Sequence, residues 1–494
     1  MNMEITYEKT AQHTEQRKVS LKIGLVSPDH LKDWHGTTRF IDRLAGEMAE
    51  RGHKIVLLAE EGSASSKVPV SRRPYPHDLI TLDLDSVSGR QAAREKFAAA
   101  GLDICYASMG YQQAVFMPGL LLGSGVPFVF QDPNDPRAPF IRWRPYESYG
   151  VLAAADAIST LLPQYMEFYP EVLKPRITEI GMPTLAPADV DFAARRDKKE
   201  RTLLTVGRFV EVNKRFSLLL RAFALLAKDF PAWRLKLVGD GPYWESYHLM
   251  AQQLWIKNRV EFTGAVDDTG PHYAEADIFC LPSLIEGFSL VYTEAAAYAL
   301  PLVGNEFCVA SAALIQPGMG ALANSGPAGT SPEALAEALR PLMEASPEER
   351  EQIGKQARDV FQERYGWNII FDKWEKLLIE TRENAQRSGG TVLDKIWRSK
   401  MEAKDKQNFI SSEWEGLEPD SPVWTEELLE SVACEIATRE DPAKAPESSE
   451  SGDMAEVVRL RSELARLRQD FGALEKKYTS LIGQFQALAG RRKK

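Results

Sequence analysis

The chain is predicted to be α/β, with two Rossmann-like domains facing a cleft and a C-terminal helical extension ending in a coiled coil. Residues 21–27, an amphipathic segment from Thr37, and residues 53–59 read as strand, helix and strand, and the same alternation restarts at Thr202. Strands that alternate with helices make parallel sheets with right-handed crossovers. The third observation is a heptad pattern over residues 454–490.

Residues 1–20 are polar and mixed in charge, with no apolar core, so a flexible N-terminus is expected and no signal peptide. The first domain spans 21–190. Its first strand, 21–27, is apolar in the manner of a buried parallel strand. Phe40, Ile41, Leu44, Ala45 and Met48 follow at helical spacing, and Gly52 ends that helix before the strand 53–59. Residues 103–106, 127–131 and 157–160 are further strand candidates, and the charge-dense stretch 189–202 reads as a linker.

The second domain spans 200–365. A strand at 202–208 contains Gly207, a helix covers 216–230, a strand at 235–239 runs into the turn Asp240-Gly241-Pro242, and 260–264 is another strand. Residues 277–281 form a short apolar run. A Pro-Ser break follows, then Glu286-Gly-Phe-Ser289, then a helix over 290–299 that Pro301 stops. Ser289 is the expected N-cap. A helix start offers unpaired N–H groups and a positive dipole end, which suit a phosphate. Glu286 and Glu294 would bracket the same mouth. Carboxylates repel phosphate, so they are read as acceptors for the hydroxyls of a sugar and a ribose. The alternative is two surface glutamates on an ordinary βα turn.

Beyond the second domain, 366–383 is a closing helix and 384–453 a linker with short helices around Trp397, Trp414 and Trp424. In the last segment Val457, Leu464, Phe471, Tyr478 and Phe485 recur every seven residues, with Leu460, Leu467, Leu474, Leu481 and Leu488 filling the other seam. A homo-oligomer or a coiled-coil partner through 454–490 is expected, against the alternative of an amphipathic helix folded on its own protein.

Composition narrows the function. With 44% hydrophobic and 26% charged residues the chain reads as soluble, and a net charge of −10 argues against nucleic-acid binding. Cys105, Cys280, Cys308 and Cys434 lie far apart with no metal-binding spacing, so reduced thiols and a cytoplasmic protein are expected. The most apolar long run, 116–130, is cut by prolines and glycines and is too short to span a bilayer, which leaves only peripheral attachment to a membrane open.

The Glu286-x7-Glu294 spacing enclosing Gly287-Phe288-Ser289-Leu290 resembles the donor-sugar motif of the retaining family-4 glycosyltransferases (glycosyl transferases group 1), which have the GT-B fold. The resemblance implies that Glu286 contacts the donor sugar and Glu294 the nucleotide ribose. It also implies that Gly207-Arg208, with Lys214 close behind, sits against the donor diphosphate. A forked guanidinium and a point-charge ammonium suit a leaving group that gains negative charge. From spacing alone a pair of solvated loop cations is the commoner case, and Arg215 replaces Lys214 if the loop is shifted by one residue. Gly239-Asp-Gly241-Pro resembles the family's nucleotide-lining turn, and Thr263-Gly264-Ala265-Val266 the segment whose backbone reads the base.

The first half departs from the family pattern. Where members carry Gly-Gly after the first strand, this chain has His35-Gly36, and Gln131 stands where a histidine commonly faces the transferred sugar, with Asp132 beside it. His35, Gln131, Asp132 and Arg137 are read as acceptor or sugar contacts. Arg137 lies in a stretch of interleaved proline, arginine and aromatic residues, 132–146, which either grips an anionic or lipid-linked acceptor or packs on its own domain.

The resemblance therefore implies a metal-independent retaining hexosyltransferase, with no cofactor beyond a UDP- or GDP-sugar co-substrate and a glycan, lipid-linked or protein acceptor. The rival reading is a non-catalytic GT-B scaffold or regulatory subunit assembled through the coiled coil.

Overall fold

The computed structural model describes residues 19–27, 36–60, 75–83, 87–110, 114, 116–136, 151–169, 171, 173–324 and 331–395. The predicted coiled coil, most of the preceding linker, Cys434, His35 and Arg137 lie outside these residues.

Two parallel sheets form the fold. The first holds β1 (Lys22–Val26), β2 (Lys54–Glu60), β3 (His77–Leu82), β4 (Ile104–Ser108), β5 (Phe128–Gln131), β6 (Ala157–Thr160) and β7 (Ile177–Glu179), in the order β3-β2-β1-β4-β5-β6-β7. The second holds β8 (Arg201–Val206), β9 (Trp233–Val238), β10 (Val260–Phe262), β11 (Ile278–Leu281), β12 (Leu302–Asn305) and β13 (Gly320–Ala323), in the order β10-β9-β8-β11-β12-β13. Each sheet reverses its winding direction beside its first strand. Ligands of open α/β sheets bind at such a switch point, outside the carboxyl ends of the strands.

Among the described residues the first half carries the helices α1 (Gly36–Glu50), α2 (Val87–Ala99) and α3 (Met117–Leu121). The connection and second half carry α4 (Phe192–Asp197), α5 (Glu211–Lys214), α6 (Phe216–Leu226), α7 (Trp244–Gln253) and α8 (Gly270–Glu275). They continue with α9 (Leu290–Ala297), α10 (Val309–Leu314), α11 (Pro332–Glu344), α12 (Pro347–Tyr365) and α13 (Trp367–Arg387). The five apolar residues that predicted α1 are all buried beneath it.

Two expectations need correction. The stretch 189–202 is not a bare linker, because α4 lies inside it, capped where Asp191 Oδ1 accepts the Ala194 N–H at 2.9 Å. The closing helix α13 also runs past residue 383 to Arg387. It crosses back onto the first sheet, where Trp374 is fully buried, its ring edge-on to Tyr106 at 5.1 Å and tilted against Phe40 at 6.1 Å. The chain stays on the first half as far as Asp394, since the Val392 N–H donates to Asp156 and the Gly123 N–H to Asp394.

Polar contacts reinforce this crossing. Arg51 at the end of α1 donates to Asp372 and Glu375 of α13, each at 2.7 Å, and the Trp367 indole donates to Glu47 at 2.7 Å. His53 Nδ1 accepts the Leu21 N–H, so its Nε2 carries the proton directed at Glu375, 3.1 Å away.

Candidate functional site

The carboxyl ends of β8 and β11, adjacent in the sheet, build one side of the site. After β8 the chain turns at Gly207, and Phe209 drops into the core against Phe216 and Trp244 while Arg208 stays exposed. Gly239, at the end of β9, lies so close that a Cβ there would stand 2.0 Å from Gly207 O, and one on Gly241 would stand 2.7 Å from Phe209 O. Both glycines have strongly positive φ, +135° and +158°, so the Gly-x-Gly turn is required sterically. Gly239 also donates to Gly264 O at 3.0 Å, which joins the turn to the segment leading to half-buried Val266.

Helix α5 is a single turn pinned by Glu211, which accepts hydrogen bonds from Ser217 and from the Tyr247 hydroxyl. Arg215 closes it in the left-handed conformation, φ +51°. Lys214 is thereby aimed across Gly207 at the loop after β11, and its Nζ lies 2.6 Å from Glu286 Oε1. That ion pair, largely shielded from water, is made by Lys214 and not by its neighbour Arg215.

The Glu286 loop is itself braced. Asn213 O accepts the Leu284 N–H, and the fully buried Asn305 donates to Ser283 O at 3.2 Å. Cys308 lies close enough to feel Glu286, and burial first, then that charge, pushes its thiol up to about 11. Buried Cys105, Cys280 and Cys308 are all free thiols.

Ser289 does occupy the N-cap position of α9, but not as a capping hydroxyl. Its backbone is left-handed, φ +71°, and its Oγ, buried, makes no bond to the helix or to any other described group. The φ sign explains the failure, because a side-chain cap is made from extended backbone. The helix start is therefore left uncapped by its own serine.

Glu294 sits one turn into α9, where Oε2 accepts the Tyr273 hydroxyl at 2.9 Å. Burial pushes its carboxyl up, with that hydrogen bond and the charges of Arg43 and Arg39 pulling the other way. Arg39 and Arg43 belong to α1, so the first half supplies cations to this neighbourhood. Gly36 is the first residue of that helix rather than a loop residue.

Gln131 and Asp132 stand at the end of β5 bonded within the first half, except for Gln131 Nε2, which is buried without a partner among the described residues. Both are fully buried: Gln131 Oε1 accepts the Tyr106 hydroxyl at 2.6 Å, and Asp132 accepts the Tyr169 hydroxyl at 2.8 Å and the Asn134 N–H at 3.2 Å. They hold the end of β5 in place. That end, with β6, presses on the second half. A Cβ on Gly287 would stand 2.1 Å from Pro133 O, and Tyr165 reaches the same loop. Phe288 packs edge-on to Tyr365 at 5.0 Å, beside Gly181 where the chain crosses between the halves.

Tyr165, Tyr273, Asn305, Arg39 and Arg43 were not anticipated from the sequence. Isolated tyrosines and helix arginines carry no local pattern that separates them from core and surface residues. Among the described residues, no group of His, Cys, Asp and Glu gathers as metal ligands, and no helix is long and apolar enough to cross a membrane.

Comparison with known proteins agrees with this geometry. Residues 189–360 match the family described as Glycosyl transferases group 1. The chain is 36% identical over 157 residues to an uncharacterized glycosyltransferase of Haemophilus influenzae, covering 31% of this chain and 43% of that one. It is 30% identical over 195 residues to a phosphatidyl-myo-inositol mannosyltransferase of Mycobacterium leprae, covering 39% and 49%. The chain thus spans less than half the length of these relatives. Among solved structures, Anabaena HepE in complex with UDP and glucose superposes with a TM-score of 0.60 at 16% identity, covering 72% of this chain and 99% of that one. Sucrose-phosphate synthase from Thermosynechococcus elongatus gives 0.58 at 19% identity, covering 74% and 100%. The two parallel-sheet halves thus share the GT-B architecture, and within the second of them residues 189–360 match the glycosyl transferases group 1.

Proposed function

We propose that the protein is a glycosyltransferase that moves a hexose-type sugar from a UDP- or GDP-sugar to a hydroxyl acceptor, with retention of configuration and without a metal. The observation that carries this is the Lys214–Glu286 pair, held at the switch point of the second sheet where the first half closes over it. Lys214 and Arg208 neutralise the departing diphosphate, together with the uncapped start of α9. Glu286 and Glu294 accept hydroxyls of the sugar and the ribose.

No side chain of the site is placed here as a nucleophile. The acceptor hydroxyl approaches the anomeric carbon on the face the diphosphate leaves, and a departing phosphate oxygen takes its proton. Rate enhancement comes from leaving-group stabilisation and alignment. The mannosyltransferase relatives are named for phosphatidylinositol-based acceptors, which supports a lipid-linked hydroxyl and peripheral membrane attachment from the cytoplasm.

The test is release of nucleoside diphosphate from a panel of UDP-, GDP- and ADP-sugars, with Glu286→Ala as control and the anomeric signal of the product read by NMR. One observation favours a non-catalytic scaffold instead: Gln131 turns its carboxamide into the sheet, leaving the usual histidine position without an acid or base. A chain that binds the donors and turns over none of them would establish that second reading.

A further inference from the structure

The loop that carries Glu286 is gripped from the opposite half of the molecule. Tyr165 lies on the 3-10 turn Pro163–Phe168 after β6. Its hydroxyl stands 2.7 Å from Glu286 O and 2.8 Å from Gly287 O, and the residue is fully buried. A phenol carries one proton, so both carbonyls share a single donor. Pro133 abuts the same loop from the end of β5, and Asp132, locked by Tyr169 and the Asn134 N–H, fixes Pro133 there. Both gripping residues belong to the first half, and the gripped peptide belongs to the second. The contacts therefore exist only while the halves are closed.

We propose that Tyr165 is a positioning residue that makes the placement of Glu286 depend on closure, resting on the assignment of this cleft to a sugar nucleotide. When the halves part, the 286–287 peptide loses its donor and its buttress together, and Glu286 loses its alignment with Lys214. Closure restores both. Tyr165 touches neither sugar nor phosphate and acts through two main-chain carbonyls. Because its bond is made in the closed complex, it contributes to turnover more than to initial donor binding.

The test is Tyr165→Phe in the full chain, which keeps the ring and removes only the hydroxyl. With the nucleotide sugar that the wild type uses, kcat is expected to fall about tenfold while the donor KM stays within about twofold. Thermal unfolding should be unchanged within a few degrees. Unaltered kcat, or a raised KM at constant kcat, overturns the proposal.

Amide hydrogen exchange over residues 282–289 gives a second readout that needs no activity. Exchange should quicken in Tyr165→Phe, and identical exchange in both proteins also overturns the proposal. A wild type that turns over no nucleotide sugar defeats the proposed function instead, and leaves the exchange experiment to decide the role of Tyr165.

If Tyr165→Phe does not fold, Gly287→Ala takes its place. Its added methyl meets Pro133 only in the closed form, so kcat should fall. Normal turnover in that variant would overturn the proposal.

Discussion

Lys214 and Glu286 meet at 2.6 Å although 72 residues separate them in the chain. Under the proposed function the contact puts a cation and an anion beside the donor diphosphate, each partly offsetting the other until a ligand divides them. Lys214→Ala should lower kcat/KM roughly a hundredfold, the scale for removing one charge-stabilising group. Glu286→Ala should cost a similar factor, and the double variant less than the product of the two, because either change already breaks the pair. Initial rates of diphosphate release on the single and double variants measure this.

The Gly-x-Gly turn leads to a stability prediction. A methyl on Gly239 would collide with Gly207 O at a φ of +135°. Gly239→Ala should cost about 2 kcal/mol or more and weaken nucleotide binding, because the β8 and β9 loops must separate to admit it. Urea unfolding and calorimetric titration with UDP and GDP read the two effects.

The clasp between α1 and α13 should depend on pH. Burial acts to raise the Glu375 carboxyl, but hydrogen bonds from Arg51 and His53 outweigh it and hold the group below the ordinary range. A carboxyl lowered by folding contributes fully above its unfolded value, about 4.3, and its contribution fades as pH falls through the lower folded value. Glu375→Gln should therefore destabilise by about 1 kcal/mol at pH 7, a figure reduced for partial exposure, and by much less at pH 3.5. Denaturant melts of both proteins at the two pH values test the sign.

Trp255 offers a change in the opposite direction. The Ile256 N–H returns to Ala251 O and the Trp255 N–H to Gln252 O, the paired bonds of a helix ending whose left-handed residue is usually glycine. Here that residue is a tryptophan with φ +59° and 93% exposure. Trp255→Gly should stabilise the protein by roughly 1 kcal/mol, since little packing is lost and the left-handed strain disappears. A lower melting temperature in that variant would contradict the prediction.

Much of this architecture is legible in the sequence because buried parallel strands are short apolar runs with glycine at their ends. Residues 157–160 and the residues of β1, β2, β4, β5, β8, β9 and β11 stand where that pattern places them. β3 was missed because only one of its residues is buried, and β7 because none is, so neither edge strand has a hydrophobic signature. In the second half the motif pointed to Glu286, Lys214 and the glycine turns, which the structure brings together, since tight turns demand particular residue types. It failed for Ser289, whose hydroxyl looked like a cap until the sign of φ was known. Gln131 and Asp132 sit at the expected strand end, but their side chains are taken up by Tyr106 and Tyr169, partners that only tertiary structure brings near.

The return of α13 to the first sheet bears on how the protein can be made. The amino-terminal half leaves Phe40 and Tyr106 bare until residues synthesised more than 260 positions later, among them Trp374, arrive to cover them. A nascent chain on the ribosome therefore carries an incomplete first domain until the second has been translated. Expression of either half alone should yield aggregation-prone material, and cutting the gene before the codon for Trp367 should harm the half that lies farthest from the cut.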